Sequence, residues 1–305
     1  MAGELVSVVI PAYNQGPFVR DAVLSALEQT YHPREVIVVD DGSTDDTAVQ
    51  LAPYAERVRI IRQENSGLSA ARNTGIRHSS GEWIALLDAD DVWHRQKLEV
   101  QLAAVRGRED VALVGSSRAS SLTNLADSPL PSPKIYELIV RDFVLSSRTG
   151  PSGALIRRRC LDAVGFFDES LRSVEDRDMW LRLAARFPCV LVDSPCWWYR
   201  IHPMQMNRNG QRMFVNYRRV LSNFFATHPQ HRQLYRQAMA YLYFDAVWSH
   251  FEEGKRLAAL YFLVKSLCYR PLGLGDERIK SHFVRAKLAL RVTLGATPSD
   301  PDVGT

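Results

Sequence analysis

Over its first hundred residues the chain alternates short apolar runs with segments of helical period, and this rhythm constrains the fold more than any other feature. Leu5-Val6-Ser7-Val8-Val9-Ile10 is a nearly unbroken β-branched run, the pattern of a strand buried on both faces. Pro11 ends it, and Pro11-Ala12-Tyr13-Asn14 forms the turn. Gly16-Pro17 opens a helix, with Pro17 suited to its first turn and Phe18, Ala22, Val23, Ala26 and Leu27 as its apolar face. Glu35-Val36-Ile37-Val38-Val39 is a second strand, ending in Asp40-Asp41-Gly42-Ser43 before a short helix that Thr44 or Asp45 can cap. Val58-Arg59-Ile60-Ile61 is a third. An alanine-rich helix begins near Ser66 and is closed by Gly81, and a fourth strand runs to Leu87. Such alternation implies a parallel sheet with right-handed crossovers. Tyr13, Asp40, Asp41 and the segment from Asp88 to Asp91 then share one edge of that sheet, the carboxyl edge where open α/β sheets bind ligands.

The fourth strand ends in Asp88-Ala89-Asp90-Asp91, three carboxylates within four residues. Crowded carboxylates repel one another unless a cation sits between them, so the cluster points to a hard metal ion with oxygen ligands. Asp-x-Asp recurs at Asp176-Arg177-Asp178 and Asp300-Pro301-Asp302, so the motif alone says little. Its place at a strand end distinguishes the first copy.

Further on, residues 95–105 have helical spacing and Val111-Ala112-Leu113-Val114-Gly115 reads as a strand. Residues 116–134 are rich in Ser and Pro without periodicity, which predicts an exposed loop. Gly150-Pro151-Ser152-Gly153 is a turn before a short strand, Ala154-Leu155-Ile156. A helix over about 175–187 places Asp176 with Trp180, Leu183 and Phe187, and Asp178 with Arg182. Val190-Leu191-Val192 and Trp197-Trp198-Tyr199-Arg200-Ile201 read as further strands. Beyond Pro203 the pattern is helical and basic to about Leu290, and a loose Pro/Asp tail ends the chain.

The hydrophobic and charged fractions, 46% and 24%, are those of a globular chain rather than a disordered one. Cys160, Cys189, Cys196 and Cys268 form no metal-binding spacing and fit a reducing compartment. The N-terminus lacks the basic region of a signal peptide, and no apolar window is long enough to span a bilayer. These features point to a cytoplasmic protein.

Ser7-Val8-Val9-Ile10-Pro11-Ala12-Tyr13-Asn14, Val39-Asp40-Asp41-Gly42-Ser43-Thr44-Asp45, Gly67-Leu68-Ser69-Ala70-Ala71-Arg72-Asn73 and Leu87-Asp88-Ala89-Asp90-Asp91 come in this order. As a set, ending in Trp93-His94-Arg95-Gln96-Lys97-Leu98-Glu99-Val100-Gln101, they resemble the family 2 glycosyltransferases, densely over residues 5–101 and more thinly to about His202. The resemblance implies an inverting enzyme of the GT-A fold: α/β, with a Rossmann-like nucleotide-binding half, a mixed central sheet and, in this chain, an added C-terminal helical region. The expected division is a transferase domain over residues 1–203, split near 115 into donor and acceptor halves. A basic helical region over 204–292 and a tail over 293–305 complete it.

Within that resemblance, Pro11, Ala12, Tyr13 and Asn14 border a nucleotide, with Tyr13 on the base or simply half-buried in its turn. Asp40 and Asp41 accept from the base or ribose, or else cap and turn the chain. Arg72 adds positive charge beside a diphosphate, or lies on the surface. Asp90 is the expected ligand of Mn²⁺ or Mg²⁺, and Asp88 touches the ribose or the metal across Ala89. Asp91 is expected to cap the following helix. Ser173-Val174-Glu175-Asp176-Arg177-Asp178 resembles the family's acidic motif, with Asp176 as the general base and Glu175 in reserve. Placement in a first helical turn predicts an ionised Asp176. Tyr199-Arg200-Ile201-His202 resembles the family's late Tyr-Arg-x-His segment, with His202 toward metal or diphosphate and Arg200 toward the leaving group. Trp197 and Trp198 are an acceptor platform or core.

The implied partners are a nucleoside diphosphate sugar, chiefly UDP-linked, and a saccharide or lipid-linked glycan acceptor, without nucleic acid. Tyr261-Phe262-Leu263-Val264-Lys265-Ser266-Leu267, flanked by Lys255, Arg256 and Arg270, is either ordinary helix packing or peripheral contact at the inner membrane face. The rival reading is a non-catalytic nucleotide-sugar or glycan-binding module on a degenerate GT-A fold.

Overall fold

A computed structural model of the chain describes residues 3–125, 129–130, 132–145, 148–202 and 210–271. The expected alternation is present: β1 (Val6–Ala12), α1 (Val19–Leu27), β2 (Arg34–Asp40), α2 (Thr47–Leu51), β3 (Arg59–Arg62), α3 (Leu68–Arg77) and β4 (Trp83–Leu86) come in turn. These strands lie parallel in the order β3-β2-β1-β4. Every residue of β1 is buried, as its unbroken apolar run requires. Helix α3 lies close on this layer because residue 75 is glycine. A Cβ there would sit 2.3 Å from Val9 Cγ1 and 3.3 Å from Val39 Cγ2.

The second half of the sheet is mixed. It is built from β5 (Val92–Trp93), α4 (Lys97–Ala104), β6 (Leu113–Ala119), β7 (Ile135–Leu138), α5 (Val140–Leu145), β8 (Leu155–Arg157), α6 (Arg158–Val164), α7 (Glu175–Ala184) and β9 (Cys189–Trp198). The sheet continues from β4 as β8-β6-β9-β5, with β7 antiparallel to β9. Only β6 and β9 are parallel here; β8 runs antiparallel to both β4 and β6, and β5 antiparallel to β9.

Several local expectations change. Residues 116–119 are not loop but the end of β6, because β9 pairs alongside them through an irregular register; residues 126–128 and 131 of the expected loop lie outside the described residues. The runs at 190–192 and 197–198 belong to one strand, β9. Asp91 precedes a strand rather than a helix, so it caps nothing. Gly81 does not close α3, which ends at Arg77. It faces β1, where a Cβ would meet Ser7 N and Leu5 O at 2.6 and 2.7 Å.

Two strand registers bring distant segments to one edge. Trp83, Ile84 and Ala85 pair with Arg157, Ile156 and Leu155, so the residues just before β8 arrive beside those just after β4. Val92 and Trp93 pair with Trp198 and Trp197, so the residues before β5 arrive beside those after β9.

The chain divides into two compact units, Met1–Phe143 with Ser147–Pro203, and Val144–Ser146 with Met204–Thr305. The sheet belongs to the first. The second contains α8 (Gly210–Thr227), α9 (Tyr235–Glu252) and α10 (Arg256–Tyr269), whose rings of Phe214, Tyr243 and Phe262 meet at centroid distances of 4.9 to 6.0 Å. The helical pattern expected beyond residue 271, and the tail with Asp300 and Asp302, lie outside the described residues.

Candidate active site

The carboxyl edge of the parallel strands gathers the expected residues. Asp41 N donates to Ala12 O at 2.8 Å, Asn14 N to Ser43 Oγ at 3.0 Å, and Thr44 N to Asn14 Oδ1 at 2.8 Å, so the turns after β1 and β2 interlock. Asn14 takes a left-handed conformation, φ 52°, which asparagine tolerates better than most residues. Pro11 and Ala12 are the buried end of β1, while the Tyr13 ring is 46% exposed at the rim.

Asp40 and Asp41 are both buried, but they differ. Asp41 accepts from Gln63 Nε2 at 2.7 Å, Ser66 N at 2.9 Å and Gly67 N at 2.8 Å. It ties the end of β2 to the start of α3, the turn-forming alternative that its sequence left open. Asp40 accepts from Ser43 N at 2.9 Å through Oδ1 and lies 3.6 Å from the exposed Arg62 through Oδ2.

Arg72 is not at the surface. It is fully buried, with Nη2 2.6 Å from Asp88 Oδ1 and Nη1 2.5 Å from Glu175 Oε1. The two carboxylates hold it firmly cationic despite burial, its own range being pushed further up. Next to it, Asn73 donates to Phe167 O at 2.9 Å and accepts from Phe167 N at 3.0 Å. The middle of α3 therefore staples the loop before α7, and Arg72 links the end of β4 to Glu175. Glu175 is thereby engaged in an ion pair with Arg72.

Asp90 and His202 meet 112 residues apart in sequence, with Asp90 Oδ2 2.9 Å from His202 Nε2. The β5–β9 pairing brings them together. The His202 ring packs against Phe18 at 4.6 Å. Arg200 sits behind them: its N–H donates to Asp91 at 3.2 Å, Nε to Asp90 O at 3.0 Å and Nη2 to Asp21 at 2.7 Å, and its guanidinium lies over Phe18 and Trp198. Arg200 thus braces the acidic loop. Burial first, then the Asp88 charge, pushes the Asp90 carboxyl up from its ordinary range. Asp91 is pushed up further, by burial and by both neighbouring aspartates.

Ser152 carries no signal of its own in the sequence, yet it closes the acidic loop. Its hydroxyl donates to Asp91 Oδ2 at 2.6 Å and accepts from Asp88 N at 3.1 Å, while its carbonyl accepts from Trp93 Nε1 at 2.6 Å. Gln101 donates to Gly153 O at 2.9 Å, and Lys97 donates to Gln101 Oε1 at 2.7 Å over the Trp93 ring. The β4–β8 register delivers Ser152 there. The Gly-Pro-Ser-Gly turn is legible in the sequence, but its destination is not. Phe18 and Asp21, which position His202 and Arg200, are equally unmarked. Trp197 is core, donating to Ser116 O at 3.2 Å, whereas Trp198 is only partly buried.

Helix α7 begins after Val174, whose φ of 58° is costly for a β-branched residue, by about 1–3 kcal/mol. The turn starts the helix at Glu175, whose side chain reaches Arg72, with Asp176 next in its first turn. Asp178 pairs with Arg182 at 2.8 Å on another face, as the spacing predicts. Asp176 keeps its expected ionised form at neutral pH, but less firmly than a first-turn position alone would give. Burial, then the Glu175 charge, raises its carboxyl to about 6, outweighing the first-turn position, and only the Arg177 N–H is bonded to Oδ1, at 2.8 Å.

With this geometry in view, residues 7–165 match the model of glycosyl transferase family 2, and residues 131–243 match that of a glycosyltransferase-like family 2. An uncharacterized glycosyltransferase of Rickettsia felis is 31% identical over 211 residues, 66% of this chain and 35% of that protein. The chain therefore corresponds to about a third of that relative. Two solved structures resemble it across nearly its whole length. A mannosyltransferase of Pyrobaculum calidifontis, in complex with GDP-Man and Mn²⁺, has a TM-score of 0.64 at 19% identity, covering 96% of this chain and 81% of its own. The S. aureus TarS 1-349 structure with UDP-GlcNAc has a TM-score of 0.64 at 17% identity, covering 97% and 92%. The fold is GT-A, a mixed α/β sheet whose acidic edge faces outward from parallel strands. The chain belongs to glycosyltransferase family 2.

Proposed function

We propose that the chain transfers a sugar from a nucleoside diphosphate donor, UDP-linked in the first instance, to a saccharide or lipid-linked glycan acceptor, with inversion at the anomeric carbon. The observation that carries this reading is the meeting of two clusters on one sheet edge. Asp90 contacts His202, and beside it Arg72 joins Asp88 to Glu175, the neighbour of Asp176. Tyr13 and Asp40 border the base and ribose, with Pro11, Ala12 and Asn14 shaping the wall. Two solved structures of the same fold carry UDP-GlcNAc and GDP-Man in their own sites, which supports the donor class.

The donor set suits a divalent cation. Asp90 and His202 offer a carboxylate and an imidazole 2.9 Å apart, and Asp88 and Asp91 stand beside them in the same loop. Asp90 and His202 would hold Mn²⁺ or Mg²⁺, with Asp88 beyond Ala89, and the ion would offset the charge of the departing diphosphate. Arg72, already committed to two carboxylates, sets the position of Asp88 rather than taking a phosphate itself.

Asp176 acts on the acceptor. The acceptor oxygen bonds to the anomeric carbon while its proton passes to the Asp176 carboxylate. The bond from that carbon to the diphosphate oxygen breaks, and the electron pair leaves with the nucleoside diphosphate. A carboxyl near 6 is ionised at neutral pH yet basic enough to receive that proton.

A thermal-shift screen of nucleotides and nucleotide sugars, with and without Mn²⁺, tests the reading. Stabilisation by one nucleotide that depends on Mn²⁺ is expected. Indifference to every nucleotide sugar, together with no slow hydrolysis of any, would contradict it.

A further inference from the structure

Helix α10 is apolar on both sides. Ala259, Phe262, Leu263 and Ser266 face inward and are buried within the second unit. At 100° per residue, Leu257, Leu260, Tyr261, Val264, Leu267 and Cys268 form one continuous stripe on the opposite side. All six are exposed among the described residues, Leu257 at 86%, Tyr261 at 55% and Val264 at 51%. An outward helix face is ordinarily polar, so a stripe this long marks a surface that a partner covers.

The charges beside the stripe identify the partner. Helix α10 has no acidic residue between Arg256 and Tyr269, and its cations fall on the two borders of the stripe, Arg256 on one and Lys265 on the other. The Lys265 ammonium lies over the Tyr261 ring at 5.6 Å, keeping its stem along the apolar surface. Two copies of the chain packed through this face would bring like charges together along both borders. An anionic bilayer would instead take the apolar side chains among its acyl chains, and the borders among its phosphates. No described helix is long and apolar enough to cross a membrane, so such contact would lie in the interface plane.

We propose that the outer face of α10 is a docking surface for an anionic lipid bilayer. The proposal deepens the lipid-linked alternative for the acceptor. Vesicle binding is read without donor or acceptor, so its failure leaves the transferase reading standing.

The test is sedimentation of the full-length chain with phosphatidylcholine vesicles, with and without 30% phosphatidylglycerol, for the wild type and for Leu260→Glu/Val264→Glu. Binding to the anionic vesicles is expected, weakened by salt, and reduced by roughly a hundredfold in the double variant. The folded state of that variant is checked by circular dichroism. A polarity-sensitive dye on Cys268, exposed where the other three cysteines are buried, should shift to the blue on anionic vesicles alone. Equal binding by variant and wild type, or none by either, overturns the proposal. So does a dye already shielded without vesicles, which would mean that the chain's own residues cover the face. A concentration-dependent dimer abolished by the variant, without lipid binding, overturns it in favour of a second copy.

Discussion

Asp88-Ala89-Asp90 leaves a strand, whereas Asp176-Arg177-Asp178 begins a helix, and the same spacing has opposite consequences in the two places. Beyond a strand the chain is free to turn, and both aspartates stay at one site: Asp88 on Arg72, Asp90 on His202, with Ser152 clasping the loop from below. On a helix, residues two apart point about 200° away from each other. Asp178 therefore goes to Arg182 on one side, and Asp176 is left near Glu175 on the other. One copy of the motif gathers charge and the other divides it. The gathered charge suits a cation; the isolated, half-satisfied carboxylate suits a proton.

If that contrast is correct, the largest loss comes from the gathered site. Asp90→Ala should abolish Mn²⁺-dependent donor binding, with kcat/KM falling below detection in a donor-hydrolysis or transfer assay. Asp176→Asn should lower kcat by roughly two to four orders of magnitude while leaving the donor KM near its wild-type value. Arg72→Met leaves two carboxylates facing an apolar side chain at a buried position. It should lower stability by about 3–5 kcal/mol in denaturant titration, more than either aspartate change. The pH profile is a subtler effect. Since the reacting form of Asp176 is ionised and its carboxyl sits near 6, kcat should climb about tenfold per unit below that pH and level off above it. Asp178→Asn is the smallest change, costing about 0.3–0.5 kcal/mol of an i,i+4 pair with activity unaltered. If Asp178→Asn silenced transfer and Asp176→Asn did not, the two faces of α7 would have been exchanged.

What could be foreseen depends on the range of each signal. Buried strands announce themselves locally, so β1, β2 and β4 and the acidic edge they share are legible from their apolar runs alone. Strand β5 is two residues long and exists only by pairing with Trp197 and Trp198, so it comes between Asp91 and the helix expected over 95–105, which forms as α4 without Asp91 as its cap. Arg72 looks like a surface cation because its partners lie 16 and 103 residues away. Until both carboxylates are in place, nothing marks it as buried. For Asp176 the helix face and the ionised form are readable, and the upward shift of its carboxyl is not. A first-turn position favours the anion, but burial and then the Glu175 charge move the carboxyl up to about 6, where it is ionised at neutral pH and still basic enough to take a proton. Ser152 is the same lesson in a neutral side chain, since its turn is plain and its partner 61 residues away is not.

Calorimetric titration with UDP and Mn²⁺, run in parallel on the wild type, Asp90→Ala and Asp176→Asn, tests the division between the two acidic segments most directly. The wild type and Asp176→Asn should bind with the same affinity, and Asp90→Ala should give no metal-dependent heat. Undiminished binding by Asp90→Ala, or lost binding in Asp176→Asn, would contradict it.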